Sequence, residues 1–129
     1  MDTKKLIKKL EKYPEVSAAI LHGSQATGHA RQESDIDLAI LFTKVFEPLD
    51  LLAFQQELSD EMHVDVDVVV LNTASPIIAM QAVKNGRPLF IKDKKAYQYF
   101  EINLITDYAD LKKLREPFEK NILQRKLHG

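Results

Sequence analysis

The residues best suited to chemistry in this chain lie in the stretch GSQATGHARQESDID, residues 23–37. Gly23, Ser24, Ala26 and Gly28 make a small-residue turn. In such a turn a backbone passes close to a ligand and points its amide hydrogens outward, which suits phosphate. Asp35 and Asp37 then stand one residue apart at the head of an apolar run, residues 36–42. On a strand, positions i and i+2 share a face, roughly 6–7 Å apart. Two carboxylates so placed are oxygen ligands for divalent cations. A second pair, Asp65 and Asp67, repeats the spacing in VDVDVVVL. A phosphate-type turn feeding acid-bearing strands points to nucleotide chemistry.

These groups need elements to position them. The apolar run 16–22 predicts a short buried strand, and residues 24–28 have the makings of one helical turn, with 29–34 as polar loop. Residues 35–42 predict a second strand: Ile36, Leu38, Ile40 and Phe42 point one way, Asp35, Asp37, Ala39 and Leu41 the other. In the third, residues 64–71, four valines share one face while Asp65 and Asp67 share the opposite one with Val69 and Leu71. Burying the valine face leaves both acidic pairs on one side of a sheet. Four carboxylates crowded there repel one another unless cations neutralise them, and divalent metal is the economical answer.

Helices fill the remainder. Asp2 or Thr3 caps a first helix over about 3–12, whose five lysines read as a solvated face; Pro14 ends it. Glu47-Pro48 breaks the chain before a helix over 50–62 that packs through Leu51, Leu52, Phe54 and Leu58. Ser75-Pro76 starts another, running through Ile77, Ile78, Met80 and Val83 to a stop at Asn85-Gly86. A fourth strand is expected over 89–92. A long helix, about 93–116, follows with Tyr97, Phe100, Leu104, Tyr108 and Leu111 on one face, until Pro117 ends or kinks it. His22, His29 and His63 read as structural or loop histidines, Arg31 and Lys92 as solvated, and Tyr97, Tyr99 and Tyr108 as packing.

The 129 residues suit one domain, 1–129, able to bury about two thirds of its unfolded surface. A formal net charge of −1 gives no general attraction to nucleic acid. Zero cysteines exclude disulfides and thiolate metal sites. No apolar run approaches the ~20 residues that span a bilayer, and lysines interrupt any signal-like segment at the start. A cytoplasmic location is expected.

Gly23-Ser24, ten intervening residues and then Asp35-x-Asp37 together resemble the signature of the DNA polymerase beta nucleotidyltransferase superfamily. The small size is similar to that of its minimal members, the MNT-type antitoxins paired with HEPN-type toxins. Family-like features extend over about 15–115: Val66-Asp67-Val68-Val69-Val70-Leu71-Asn72, the Pro76 helix, Asn85-Gly86-Arg87-Pro88-Leu89-Phe90 and the long last helix. Thr27 departs from the pattern, since arginine is frequent there, and His22 stands where an aromatic or apolar residue is common.

The resemblance implies an α/β fold, a small mixed sheet flanked by helices with a long C-terminal helix. It also implies transfer of AMP from ATP to a tyrosine hydroxyl of a cognate HEPN ribonuclease toxin, which neutralises the toxin. Gly23 and Ser24 would hold the triphosphate. Asp35, Asp37 and Asp67 would ligate two Mg²⁺ ions, or Mn²⁺, with Asp67 also helping to deprotonate the acceptor. Asp65 competes for that role, and Asp67 is preferred from its position relative to Leu71-Asn72. The rival expectations are an antitoxin that acts by binding alone and a nucleotidyltransferase for a small-molecule hydroxyl such as an aminoglycoside.

Overall fold

The computed structural model describes residues 2–23 and 35–128. Ser24, Thr27, His29 and Arg31, with the expected turn over 24–28 and loop over 29–34, lie outside the described residues. The element order is α1 (Thr3–Glu11), β1 (Val16–His22), β2 (Ile36–Phe42), α2 (Pro48–Met62), β3 (Val66–Val70), α3 (Pro76–Asn85), β4 (Arg87–Ile91) and α4 (Lys94–His128). The sheet is mixed, in the order β3-β2-β1-β4. β1 runs antiparallel to both β2 and β4, whereas β2 and β3 are parallel. That parallel pair requires a crossover, and α2 supplies it.

Period-2 alternation divides the core into two layers. Ile36, Leu38, Ile40 and Phe42 of β2 join Leu6 and Leu10 of α1 and Phe54 and Leu58 of α2 on one face. Ala39 and Leu41, with Leu71 and with Ala18 and Ile20 of β1, meet Ala79 and Ala82 of α3 and Tyr97 and Leu104 of α4 on the other. Leu6, Leu10 and Leu58 are fully buried, each contributing on the order of 2–3 kcal/mol.

Local signals set most helix ends. The Asp2 carboxylate accepts from the Lys5 amide at 3.1 Å, so Asp2, not Thr3, caps α1. Ser75 accepts from the Ile78 amide at 3.3 Å, with Pro76 in the first turn. Glu47-Pro48, expected as a break, begins α2 instead, because proline at the first helical position forgoes an amide bond that has no partner anyway. Leu52 is 61% exposed: at 100° per residue it turns away from the Leu51–Phe54–Leu58 face. Nor does α3 pack through Ile78, which is 48% exposed; Ala79 and Ala82 are its buried residues. Small side chains let this helix sit close on the sheet. Gly86 continues that approach, since a Cβ there would stand 2.5 Å from Ile20 Cγ2 and 2.3 Å from the Ala82 carbonyl oxygen.

Two further differences concern chain ends of elements. β4 begins at Arg87 rather than 89, and Pro88 is tolerated because β4 is an edge strand. Helix α4 continues past 116 to His128 with Pro117 inside it. Proline removes one bond, to the carbonyl of Lys113, and Lys113 is exposed, so water can take its place.

The other edge, β3, is covered. Val66 and Val68 donate their amides to Ser59 Oγ (2.9 Å) and Gln55 Oε1 (2.8 Å) of α2, which occupies groups that would otherwise invite another strand. Asn72 exchanges two 2.9 Å hydrogen bonds with the backbone of Phe42, extending the sheet beyond β3. Among the described residues no helix is long and apolar enough to cross a membrane.

Candidate active site

The site forms where β1 ends and β2 and β3 begin. His22 is the cross-strand partner of Asp37. In the parallel pair Asp37 stands directly beside Asp67, about 4.8 Å away across the ladder. Both acids have the parity of Ala39 and Val69, so they lie on the α3–α4 face of the sheet. Asp35, exposed, precedes β2 on the same parity. Asp65 is also exposed, and its carbonyl accepts the Ile36 amide at 2.9 Å. Register therefore brings Asp67, not Asp65, alongside Asp37.

Gly23 closes this corner. Its φ of +73° lies in the left-handed region, which glycine enters without penalty. A Cβ at this position would stand 2.4 Å from Asp37 Oδ2 and 3.2 Å from its Cγ. The left-handed backbone favours glycine, and any Cβ here would force the Asp37 carboxylate to shift.

Electrostatics mark Asp37. Desolvation is the first cause that holds its carboxyl above the ordinary value of 3.8; His22 pulls it down, and Asp67 and then Asp35 push it up. Its ionised form is under-solvated and crowded by like charge, a state that a cation relieves. Oxygen-only donors of this kind suit a hard divalent ion. Among the described residues no group of three or more His, Cys, Asp or Glu closes on one point. Asp37 and Asp67 are paired by register, and the expected convergence of Asp35, Asp37 and Asp67 into one cluster is not seen among the described residues.

Beside the acids runs an open groove of about 730 Å³, lined by His22, Gly23, Ile78, Gln81, Ala82, Lys84 and Asn85. Gln81 and Lys84 are not among the candidate residues named from the sequence. Their spacing of three from Ile78 was visible there, but which element that stripe confronts was not. His22 Nε2 is buried and has no hydrogen-bond partner among the described residues.

The other residues weighed in the sequence serve elsewhere. His63 ends α2 in the left-handed conformation, φ 59°. Lys92 Nζ donates to the carbonyls of Tyr13 (2.8 Å) and Glu11 (3.3 Å), fastening β4 to the end of α1. Tyr97 packs in the core, but Tyr99 is 71% exposed and does not.

A family model described as Polymerase beta, Nucleotidyltransferase matches residues 4–95, which include Gly23 and both acidic strands. The chain is 27% identical over 124 residues to a protein named protein adenylyltransferase MntA from Shewanella oneidensis, covering 95% of this chain and 88% of that one. A crystal structure of a toxin–antitoxin with AMP-PNP contains a chain that matches with a TM-score of 0.83 at 27% identity, over 95% of this chain and 99% of that one. A chain in a crystal structure of the toxin–antitoxin MntA-HepT matches with a TM-score of 0.75 at 25% identity, over 94% and 96%.

Proposed function

The chain belongs to the polymerase beta nucleotidyltransferase family, and on that footing we propose that it is an antitoxin that transfers AMP from ATP to a tyrosine hydroxyl of a HEPN-type ribonuclease toxin and thereby neutralises it. The observation that carries this reading is the register of Asp37 with Asp67 beside Gly23. Transfer to a protein and the toxin partner are supported by the likeness to a protein adenylyltransferase and to chains in toxin–antitoxin crystal structures, one of them with AMP-PNP; the tyrosine acceptor is part of the proposal.

In this reading the tyrosine oxygen attacks the α-phosphorus of ATP, the bond to the β-phosphate oxygen breaks, and pyrophosphate departs. Asp67, exposed at the rim, accepts the tyrosine proton. Gly23 lets the backbone approach the phosphates, and Ser24 adds a hydroxyl donor. Asp35, Asp37 and Asp67 would hold Mg²⁺, or Mn²⁺ in its place, together with oxygens of the nucleotide. When bound, such ions neutralise phosphate charge and make the acceptor oxygen a better nucleophile. The protein supplies no covalent nucleophile, so its contribution is positioning and charge. A cytoplasmic location is part of the same proposal, since the reaction draws on ATP and a ribonuclease toxin.

The test is incubation of a cognate HEPN-type toxin with sub-stoichiometric amounts of this protein, ATP and Mg²⁺. Intact-mass measurement should show a gain of one AMP residue per transfer, and toxin activity should fall with it. Neutralisation that needs equimolar protein, ignores ATP and leaves the toxin mass unchanged would replace catalysis with simple binding.

A further inference from the structure

Helix α3 presents a stripe of graded chemistry toward the acidic corner. Ile78, Gln81 and Lys84 recur every three residues and line the same groove as His22 and Gly23. They span roughly 9 Å along the helix axis. The polarity is fixed by how α3 lies on the sheet. Its C-terminal end abuts β1, because Gly86 sits against Ile20 and the Leu21 carbonyl, and Arg87 pairs with Leu21. Lys84, in the last turn, is therefore at the Gly23 end of the groove, and Ile78 is farther along it.

We infer that this stripe is the wall that receives the nucleotide: Lys84 meets the phosphates near Gly23, Gln81 the polar edge of the sugar and base, and Ile78 the face of the base. The inference rests on the proposed adenylyl transfer and deepens it by naming what holds the nucleotide outside the acid-bearing strands.

Three physical arguments support the assignment. A polyphosphate brought to a corner already holding Asp35, Asp37 and Asp67 needs positive charge, and among the described residues Lys84 is a cationic side chain lining this groove. Pyrophosphate gains negative charge as it leaves, so an ammonium at that end also favours departure. At the other end, Ile78 is an apolar side chain 48% exposed above a floor that includes buried Ala82. An aromatic base would cover it. An amide between the two can donate and accept, as a sugar hydroxyl or base edge requires. Gln81, Lys84 and Asn85 are exposed and Ile78 half-exposed, so the wall is open for a ligand and its substitution leaves the core untouched.

The experiment uses the full chain with Mg²⁺ and two probes, a non-hydrolysable α,β-methylene ATP and inorganic tripolyphosphate, measured by calorimetry. Lys84→Ala should weaken both probes by about 10-fold or more, the loss expected for a hydrogen bond to a charged group, while Lys84→Arg keeps most of the affinity. Ile78→Asp should weaken the ATP analogue and leave tripolyphosphate unchanged. Circular dichroism should be unaltered in all three. Wild-type affinity of both Ala and Asp variants for the ATP analogue overturns the inference. So does a change confined to the KM for the toxin, which would make the groove a seat for the acceptor protein. In both cases wild-type protein still transfers AMP and the proposed function stands. A wild-type chain that binds neither probe and transfers nothing overturns both.

Discussion

Replacing Gly23 with alanine should separate catalysis from folding. A non-glycine residue held near φ +73° costs about 1–2 kcal/mol in backbone energy. The added methyl would also stand 2.4 Å from Asp37 Oδ2. Reaching the ~3.3 Å of a tolerated carbon–oxygen contact requires the carboxylate to withdraw by about 0.9 Å. Asp37 is flanked by His22 on one strand and Asp67 on the other, so withdrawal moves it out of line with its neighbour acid. A misplacement of that size costs on the order of 10²-fold in rate. The stability loss, by contrast, shifts Tm by only several degrees in a domain of this size. Single-turnover AMP transfer and thermal denaturation, measured on the same preparation, give the two numbers. A variant that transfers AMP at the wild-type rate, or one whose activity falls only as far as its folded fraction, would refute the reasoning that Gly23 acts by clearing space for Asp37.

Asp37→Asn should abolish transfer yet raise the stability of the metal-free protein at neutral pH by about 1 kcal/mol, the usual gain when a functional site is relaxed. The sign follows from its raised pKa. Such an acid stabilises the fold while protonated, fully below its ordinary value of 3.8, and that contribution is lost as pH rises through the folded pKa. The advantage of the variant should therefore vanish in acid, and equal melting temperatures at pH 7 would contradict it. Gln55→Ala leaves the Val68 amide without its 2.8 Å partner; a loss of about 1–2 kcal/mol in denaturant midpoint and concentration-dependent self-association through the freed β3 edge are expected in sedimentation. Chelation of divalent metal should stop AMP transfer without loss of helical circular dichroism, and transfer that persists in chelator would remove the metal from the proposed reaction.

Some of this was settled by the sequence alone. Alternation in residues 36–42 and 66–71 determines which side chains share a face, because the pleat has a period of two whatever the strand pairs with. Hence Asp37 and Asp67 fall on the face of Ala39 and Val69, opposite Leu38 and Val68. Ser75-Pro76 and Asp2 announce helix starts for equally local reasons. Relations between elements were not legible. Asp65 and Asp67 have identical parity, and only the pairing of β3 on β2, reached through the α2 crossover and held by Ser59 and Gln55, puts Asp67 beside Asp37. Gly23 looks like any turn glycine until Asp37 is seen to fill the space of its missing Cβ. Ile78, Gln81 and Lys84 became one wall of a groove because buried Ala79 and Ala82, with Gly86, let α3 lie close against β1. Parity belongs to one strand and is written in it, whereas register and helix facing are agreements between distant segments that packing alone decides.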